Sequence, residues 1–364
     1  MYRLVRFFLF LLPPELAHRL AMTGLELVSR FEAFCRFLRD RAIRRVSPVL
    51  ATSFAGIKVI HPLGLAAGLD KDALTVPAFF ALGFAAVEVG TLTPKAQPGN
   101  PTPRLFRIPE HRALINRMGF NNHGALAASK HLKSMSEKWG PLGINIGKNK
   151  STLLENAAED YLQCVDLLAL SADYLVLNAS SPNTPQLREL QEPAQLKGLL
   201  QTVRGRLDEI KASCPLFLKI APDLSPEALD DLVDVALECK IQGIVATNTT
   251  VERPFKHRHA DQAGGMSGGP LTDRSTETIR RIWCRAGGQL SIIGVGGVFS
   301  AEDAYEKLCA GASFVQIYTG LVYEGPGLIS TLLEGLLTLI RRDGFATLHQ
   351  AIGSRARVST KTET

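Results

Sequence analysis

The sequence predicts a (β/α)8 barrel preceded by a helical extension, and three observations carry that reading. Eight short, nearly continuously apolar segments recur from residue 63 onward, with stretches of helical pattern between most of them. Amides, hydroxyls and glycines gather at the C-terminal ends of those segments, where a barrel places its chemistry. Residues 1–45 differ in texture from everything after them.

The extension comes first. Residues 1–45 hold nine Arg against four Asp or Glu, a net +5 of the chain's +6, and the remaining 32 basic and 31 acidic side chains nearly cancel. A basic N-terminus on a neutral body fits an anionic membrane surface rather than a nucleic-acid groove. The apolar run 7–12 is only six residues long before Pro13 and Pro14, far short of the roughly 20 that span a bilayer. No small-residue cleavage pattern follows it, so a secretory signal is not expected. Pro14 suits the first turn of a helix carrying Leu16, Ala17, Leu20 and Ala21 on one face. After Gly24, the set Leu27, Phe31, Phe34, Cys35 and Leu38 recurs at helical spacing with Arg30, Arg36 and Arg39 interleaved. Two short, basic, amphipathic helices are expected to lie on a membrane surface. The plainer alternative packs their apolar face on the main domain.

Residues 54–60 read as a short hairpin leading in. The eight apolar segments are 63–68, 85–91, 142–147, 174–178, 216–220, 243–247, 292–297 and 314–318, with helical patterns at 155–170, 226–239, 275–285 and 301–309. A doubly wound sheet is the runner-up, but no GxGxxG turn follows the first strand. Hydrophobic content of 46% and charged content of 21% are those of a folded chain. The six cysteines (Cys35, Cys164, Cys214, Cys239, Cys284, Cys309) form no CxxC and no His–Cys cluster. Free thiols are therefore expected, and no metal site.

Taken in turn, the strand ends read Ala67-Gly68-Leu69-Asp70-Lys71, Gly90-Thr91, Asn145 with Lys148, Asn178 to Asn183, Lys219, Thr247-Asn248-Thr249, Gly296-Gly297 and Tyr318-Thr319-Gly320. This mouth has no paired carboxylates for glycoside hydrolysis and no histidine set for a metal. Glycines after the seventh and eighth strands, each followed by a helix start, suit a phosphate cradle, and Gly268 adds a close backbone approach. The amides suit a flat hydrogen-bonding heterocycle, and Lys219 offsets negative charge on a reduced flavin. The alternative for Lys219 is a satisfied interior lysine. For the polar loop 177–185 the alternative is an ordinary βα turn.

Several of these stretches together are specific. Gly64-Leu-Ala-Ala-Gly-Leu-Asp-Lys71, Ile115-Asn-Arg-Met-Gly-Phe-Asn-Asn122, Gly143-Ile-Asn-Ile-Gly-Lys148, Asn178-Ala-Ser-Ser-Pro-Asn-Thr184, Lys219-Ile-Ala-Pro-Asp223, Ala246-Thr-Asn-Thr-Thr250, Gly294-Val-Gly-Gly297 and Val315-Gln-Ile-Tyr-Thr319 resemble the dihydroorotate dehydrogenases. They occur in that family's order across roughly residues 10–340. Class 2 of the family carries a serine base and an N-terminal helical extension, and class 1 a cysteine and no extension. Ser181 and residues 1–45 resemble class 2.

The resemblance implies oxidation of dihydroorotate to orotate in pyrimidine biosynthesis, with FMN as cofactor and a membrane quinone as final acceptor. FMN contacts would fall on Ala67, Gly68, Leu69, Asp70, Lys71, Thr91, Asn145, Asn178, Lys219, Thr247, Gly268, Gly297, Tyr318 and Thr319. Dihydroorotate contacts would fall on Lys71, Asn116, Arg117, Met118, Gly119, Phe120, Asn178, Asn183, Asn248 and Thr249. Ser181 would take the C5 proton while hydride passes from C6 to flavin N5, with Thr184 relaying the proton and Phe120 shielding the site. His18, Arg107 and Tyr318 match positions on the family's quinone path.

Residues 1–45 would form the membrane and quinone-access segment, 46–345 the flavin barrel and 346–364 a C-terminal tail. A monomer on the cytoplasmic face of the cell (inner) membrane is expected, without nucleic acid or metal. Two positions depart from the family: Ala73 and Gln186 stand where glycines are usual. Competing readings are another flavin barrel acting on a different pyrimidine or enone, and a non-catalytic peripheral membrane barrel.

Overall fold

A computed structural model describes residues 2–356. A two-stranded hairpin, β1 (Thr52–Phe54) and β2 (Ile57–Val59), leads into the barrel. The barrel strands are β3 (Leu63–Leu65), β4 (Ala86–Leu92), β7 (Leu142–Ile146), β8 (Tyr174–Asn178), β9 (Leu216–Ile220), β10 (Gly243–Ala246), β12 (Ser291–Val295) and β13 (Phe314–Ile317). They pair in parallel and close in the order β10-β12-β13-β3-β4-β7-β8-β9. All their residues but Ser291 are buried, as strands covered on both faces must be.

The barrel's N-terminal end is plugged. Phe54 of the hairpin stacks on Phe314 with centroids 4.6 Å apart and sits edge-on to Tyr174 at 5.4 Å. Glycines make room for these rings: a Cβ on Gly64 would lie 2.4 Å from Phe314, and one on Gly143 2.1 Å from Tyr174. Only the opposite mouth is left for chemistry.

Outside the barrel run α4 (Val76–Ala81), α5 (Ala125–Ser134), α6 (Ala157–Leu168), α7 (Pro193–Glu209), α8 (Pro226–Glu238), α9 (Thr272–Ala286) and α10 (Ala301–Cys309). Two of their starts are written in the sequence. Ser225 accepts from the Ala228 N–H to cap α8, and Ser300 with Asp303 forms a capping box on α10. α11 (Thr319–Glu324), α12 (Leu328–Arg342) and α13 (Leu348–Ala351) follow β13. α13 lies in the stretch expected as tail, and it packs Leu348 and Ala351 into the core. Residues 357–364 lie outside the described chain.

The extension holds three helices, α1 (Tyr2–Leu11), α2 (Pro14–Ser29) and α3 (Glu32–Ile43), rather than the two expected. Pro13 and Pro14 separate α1 from α2, and the apolar run 7–12 turns out to belong to a helix that starts at Tyr2. Gly24 does not break α2. An interior glycine costs about 1 kcal/mol, too little against flanking leucines, and the break comes at Arg30-Phe31 instead. α2 and α3 are anchored on α4, where Ser29 Oγ accepts from the Ala78 N–H at 3.2 Å and Cys35 is fully buried. α1 buries no residue. It is tied down by Tyr2 Oη donating to the Val322 carbonyl at 2.7 Å and by Arg107 donating to the Phe10 and Leu12 carbonyls at 2.9 and 2.6 Å.

A second sheet was not visible in the sequence. β5 (Leu105–Ile108), β6 (Ala113–Asn116) and β11 (Gly265–Gly268) form an antiparallel sheet in the order β11-β6-β5. Each strand is only four residues long, and β11 is half glycine, so neither alternation nor β-propensity marks them. They lie across the barrel mouth and bring Asn116 and Gly268 to it.

Candidate active site

The open mouth holds a cavity lined by residues from most of the barrel's strand ends and from β6 and β11, a usual place for a small-molecule site. Its floor is a buried polar network on barrel strands. Glu88 of β4 is fully buried and accepts from Asn145 Nδ2 at 2.9 Å and from Gln316 Nε2 at 2.6 Å. Asn145 Oδ1 in turn accepts from Thr91 Oγ1 at 2.6 Å and Asn178 Nδ2 at 3.2 Å. Lys219 lines the cavity with no acceptor within hydrogen-bonding distance among the described residues. Burial pulls its pKa down and the nearby Glu88 charge opposes that. Gln316 Oε1 is likewise buried without a partner among the described residues. Lys219 thus lines the cavity unsatisfied, which a folded protein tolerates where a ligand completes it.

One wall is built of backbone. Gly268 and Leu271 from the turn entering α9, Gly296 and Gly297 after β12, and Thr319 and Gly320 opening α11 line it together. Gly268 has φ +102° and its Cβ would lie 2.1 Å from the Arg112 carbonyl oxygen. Gly297 has φ +69° and its Cβ would lie 2.0 Å from Thr272 Oγ1. Only glycine fits either place. Ser267 and Thr319 hydroxyls meet at 2.8 Å on the same wall.

The opposite wall carries Lys71, Asn116, Met118, Gly119, Phe120, Ser181, Asn183, Asn248 and Thr249. Ser181 is buried, and its Oγ accepts from the Asn183 N–H at 3.2 Å. The loop holding it is clamped by Arg188, which donates to the Ser180 carbonyl at 3.0 Å, the Thr249 carbonyl at 3.0 Å and Asp223 at 2.8 Å. One guanidinium therefore fastens the loops after β8, β9 and β10. Lys71 Nζ lies 3.5 Å from His18 Nε2 of α2. Burial and the Lys71 charge hold His18 down to about 3, so it is neutral at any ordinary pH. Arg104 pairs with Glu15 of α2 at 2.8 Å beside it.

Such a site sits on a chain with close relatives. The model of the family described as "Dihydroorotate dehydrogenase" matches residues 49–340. A Myxococcus xanthus protein named "Dihydroorotate dehydrogenase (quinone)" is 58% identical over 357 residues, covering 98% of each chain. The chain belongs to the dihydroorotate dehydrogenase family. An Anaeromyxobacter relative of the same name is 51% identical over 96% of each chain. The crystal structure of a DHODH from Eimeria tenella in complex with ferulenol matches with a TM-score of 0.82 at 38% identity, covering 86% of this chain and 90% of that one.

Against the positions the family implies, the cavity gathers most of the residues expected there. Ala67, Gly68, Thr91, Asn178, Lys219, Thr247, Gly268, Gly297, Tyr318 and Thr319 line it from the flavin set, together with Lys71. Asn145 lies one layer beneath. Leu69 is buried in the core, and Asp70 spends its carboxylate on the Leu74 and Thr75 N–H groups, shaping the Lys71 loop. From the substrate set Arg117 does not line the cavity; it donates to Gln262 at 2.9 Å and stacks on Phe106. Thr184 is buried with its Oγ1 unpartnered among the described residues, and no hydrogen bond joins it to Ser181. Of the expected quinone set, Tyr318 lines the cavity, His18 backs Lys71, and Arg107 caps α1. Glu88, Gln316, Ser267 and Arg188 were not singled out from the sequence. A carboxylate and an amide inside otherwise apolar strands are signals that could have found the first two.

Both departures from the family's glycines fall on left-handed backbone: Ala73 has φ +62° and Gln186 φ +58°. Ala73 is fully buried, so glycine there would relieve strain and leave a methyl-sized gap. Gln186 is exposed and carries only the strain. A left-handed non-glycine residue costs about 1–2 kcal/mol, and glycine returns about 0.5–1 kcal/mol of that through the unfolded chain. Gln186→Gly is expected to stabilise the protein by about 0.5–1 kcal/mol in chemical denaturation, and a lower midpoint would contradict the assignment.

Proposed function

We propose that this chain oxidises dihydroorotate to orotate with FMN in the barrel mouth and passes the electrons to a membrane quinone, a step of pyrimidine synthesis. The observation that carries the reading is the pairing of two walls in one cavity. One is a glycine cradle no side chain can enter, and the other holds a lysine, asparagines and a buried serine. The residues fit a phosphorylated flavin. Gly268, Gly297 and Thr319 suit the phosphate, while Lys219 offers a cation to the ring. When bound, the flavin supplies the two-electron acceptor that turning a C–C single bond into a double bond requires.

The chain's residues do the rest. The Lys71 ammonium holds the substrate carboxylate. Asn116, Asn183 and Asn248 present amides that both donate and accept to the ring's carbonyls and N–H groups. Ser181 Oγ takes the proton from C5, and Phe120, which lines the same cavity, excludes water. A serine hydroxyl is a weak base near neutral pH, so the proton must go on to solvent; the buried Thr184 hydroxyl, which makes no hydrogen bond to Ser181, would carry it there through a bridging water.

Residues 1–45 serve membrane and quinone, with His18, Arg107 and Tyr318 along the path inward, and 46–345 form the flavin barrel. Eleven large hydrophobic side chains stand exposed on α1 to α3 and Phe31, which supports a peripheral seat on the inner membrane's cytoplasmic face. No helix among the described residues is long and apolar enough to cross a bilayer. The proposed unit is a monomer.

Anaerobic addition of dihydroorotate should bleach the flavin absorbance, and a flavin that stays oxidised would sink the reading. The same titration has a pH signature. Burial holds Lys71 down to about 8 against an ordinary 10.5, so it is charged below that pH and neutral above. Substrate affinity should fall roughly tenfold per unit as pH rises past 8. A flat profile to pH 10 would show that Lys71 does not hold the carboxylate.

A further inference from the structure

Lys307 of α10 is a charged side chain with no place in the mechanism so far. It is fully buried between α9 and the barrel. Its stem runs past Gly294 of β12, where a Cβ would lie 3.5 Å from Lys307 Cδ. Its Nζ reaches three acceptors, all on the first turns of α9: the Thr272 carbonyl at 3.1 Å, Ser275 Oγ at 3.1 Å and Thr276 Oγ1 at 3.0 Å.

The hydrogen inventory points to the ammonium form. Ser275 Oγ already donates to the Val295 carbonyl at 2.6 Å, and Thr276 Oγ1 to the Thr272 carbonyl at 2.9 Å. Neither hydroxyl has a hydrogen left for Lys307, and a carbonyl has none. All three bonds are donated by the lysine, which takes a full ammonium. No carboxylate pairs with it among the described residues. Asp303 is occupied by the Phe299 and Ser300 N–H groups, and Asp273 is exposed. Burial pulls the ammonium down to about 7, with Asp303 and Asp273 opposing.

A lone buried cation is costly, and its position makes it more so. The first turn of a helix already carries positive partial charge, where a cation is unfavourable and an anion welcome. α9 has no side-chain cap to offset it. Thr272 links this charge to the cradle, since its Oγ1 lies 2.9 Å from both the Gly269 and Gly297 carbonyls and shares its one hydrogen between them. The cation therefore stands one residue behind the wall assigned to the phosphate.

We propose that Lys307 is a positioning residue for the phosphate end of the flavin. It supplies through the first turn of α9 the buried positive charge that makes the glycine cradle selective for a phosphorylated ligand. The inference rests on the flavin reading above. The test is to strip the full chain of flavin and retitrate it with FMN or riboflavin, which share the ring and differ in the phosphate. Lys307→Met and Lys307→Gln should each weaken FMN by about tenfold or more and leave riboflavin within about twofold. Lys307→Gln keeps two N–H donors and decides the matter if the methionine variant does not fold. Equal weakening of both flavins, or unchanged FMN affinity, would make Lys307 a structural fastener and overturn this inference alone. A wild-type chain that binds neither flavin would overturn the flavin reading itself, and this inference with it.

Discussion

Ser181→Ala is expected to slow bleaching of the bound flavin by dihydroorotate by roughly 10²–10⁴-fold, the usual worth of a positioned acid–base group. Flavin content should stay unchanged. The substitution removes one oxygen from a buried side chain whose only hydrogen bond among the described residues is accepted from the Asn183 N–H. The loop itself is held by Arg188 through the Ser180 carbonyl, so the geometry outlives the change. The neighbour supplies the control. Ser180 Oγ donates to Asn178 Oδ1 at 3.3 Å and accepts from Asn248 Nδ2 at 3.0 Å, a positioning role. Ser180→Ala should therefore raise the substrate concentration needed more than it lowers the limiting rate. Near-normal bleaching by the Ser181 variant, measured by stopped flow, would remove the serine from the role of base.

Changing Phe7, Phe8, Phe31, Phe34 and Phe37 together to Gln is expected to lower vesicle binding by at least about 10³-fold. All five rings are more than half exposed, so the fold loses little when they go. Three rings buried in lipid at about 1.5 kcal/mol each already amount to that factor. The arginines of residues 1–45 remain, at about 1 kcal/mol each near an anionic surface, so the residual binding should be salt-sensitive. Turnover with a quinone dissolved in the vesicles should fall in parallel, while flavin bleaching by dihydroorotate stays as in the wild type. Co-sedimentation unchanged by the five substitutions would refute the membrane seat.

How far the sequence disclosed this molecule varies by region, and for physical reasons. The barrel strands were legible because burial on both faces leaves uninterrupted apolar runs, and reading their C-terminal ends placed Lys71, Asn178, Ser181 and Lys219 in one cavity. The sheet of β5, β6 and β11 was not legible. Its residues are held by long-range pairing and by glycine at close approaches, such as Gly265 against Thr249, rather than by local pattern. The extension was misdivided because Gly24 looks like a stop and behaves as an ordinary interior residue. Arg188 escaped notice because its three acceptors come from loops far apart in sequence. Glu88 was passed over inside a run read as apolar, and its pairing with Asn145 and Gln316 was knowable only once the barrel closed.

The plug at the barrel's closed end sets a timetable for synthesis. Leu63 of the first barrel strand pairs with Val315 of the last, and Thr52 of the hairpin reaches the Ser313 carbonyl. The ring cannot close until roughly 250 further residues have left the ribosome, about 13–50 s at ordinary elongation rates. Throughout that interval Phe54 and its hairpin lack the aromatic ring of Phe314 on which they stack. Contacts of such sequence separation make for slow folding, so the nascent chain carries unsatisfied apolar surface at its leading end. Synonymous changes or chaperone depletion that alter this window should affect the yield of folded protein without touching its stability.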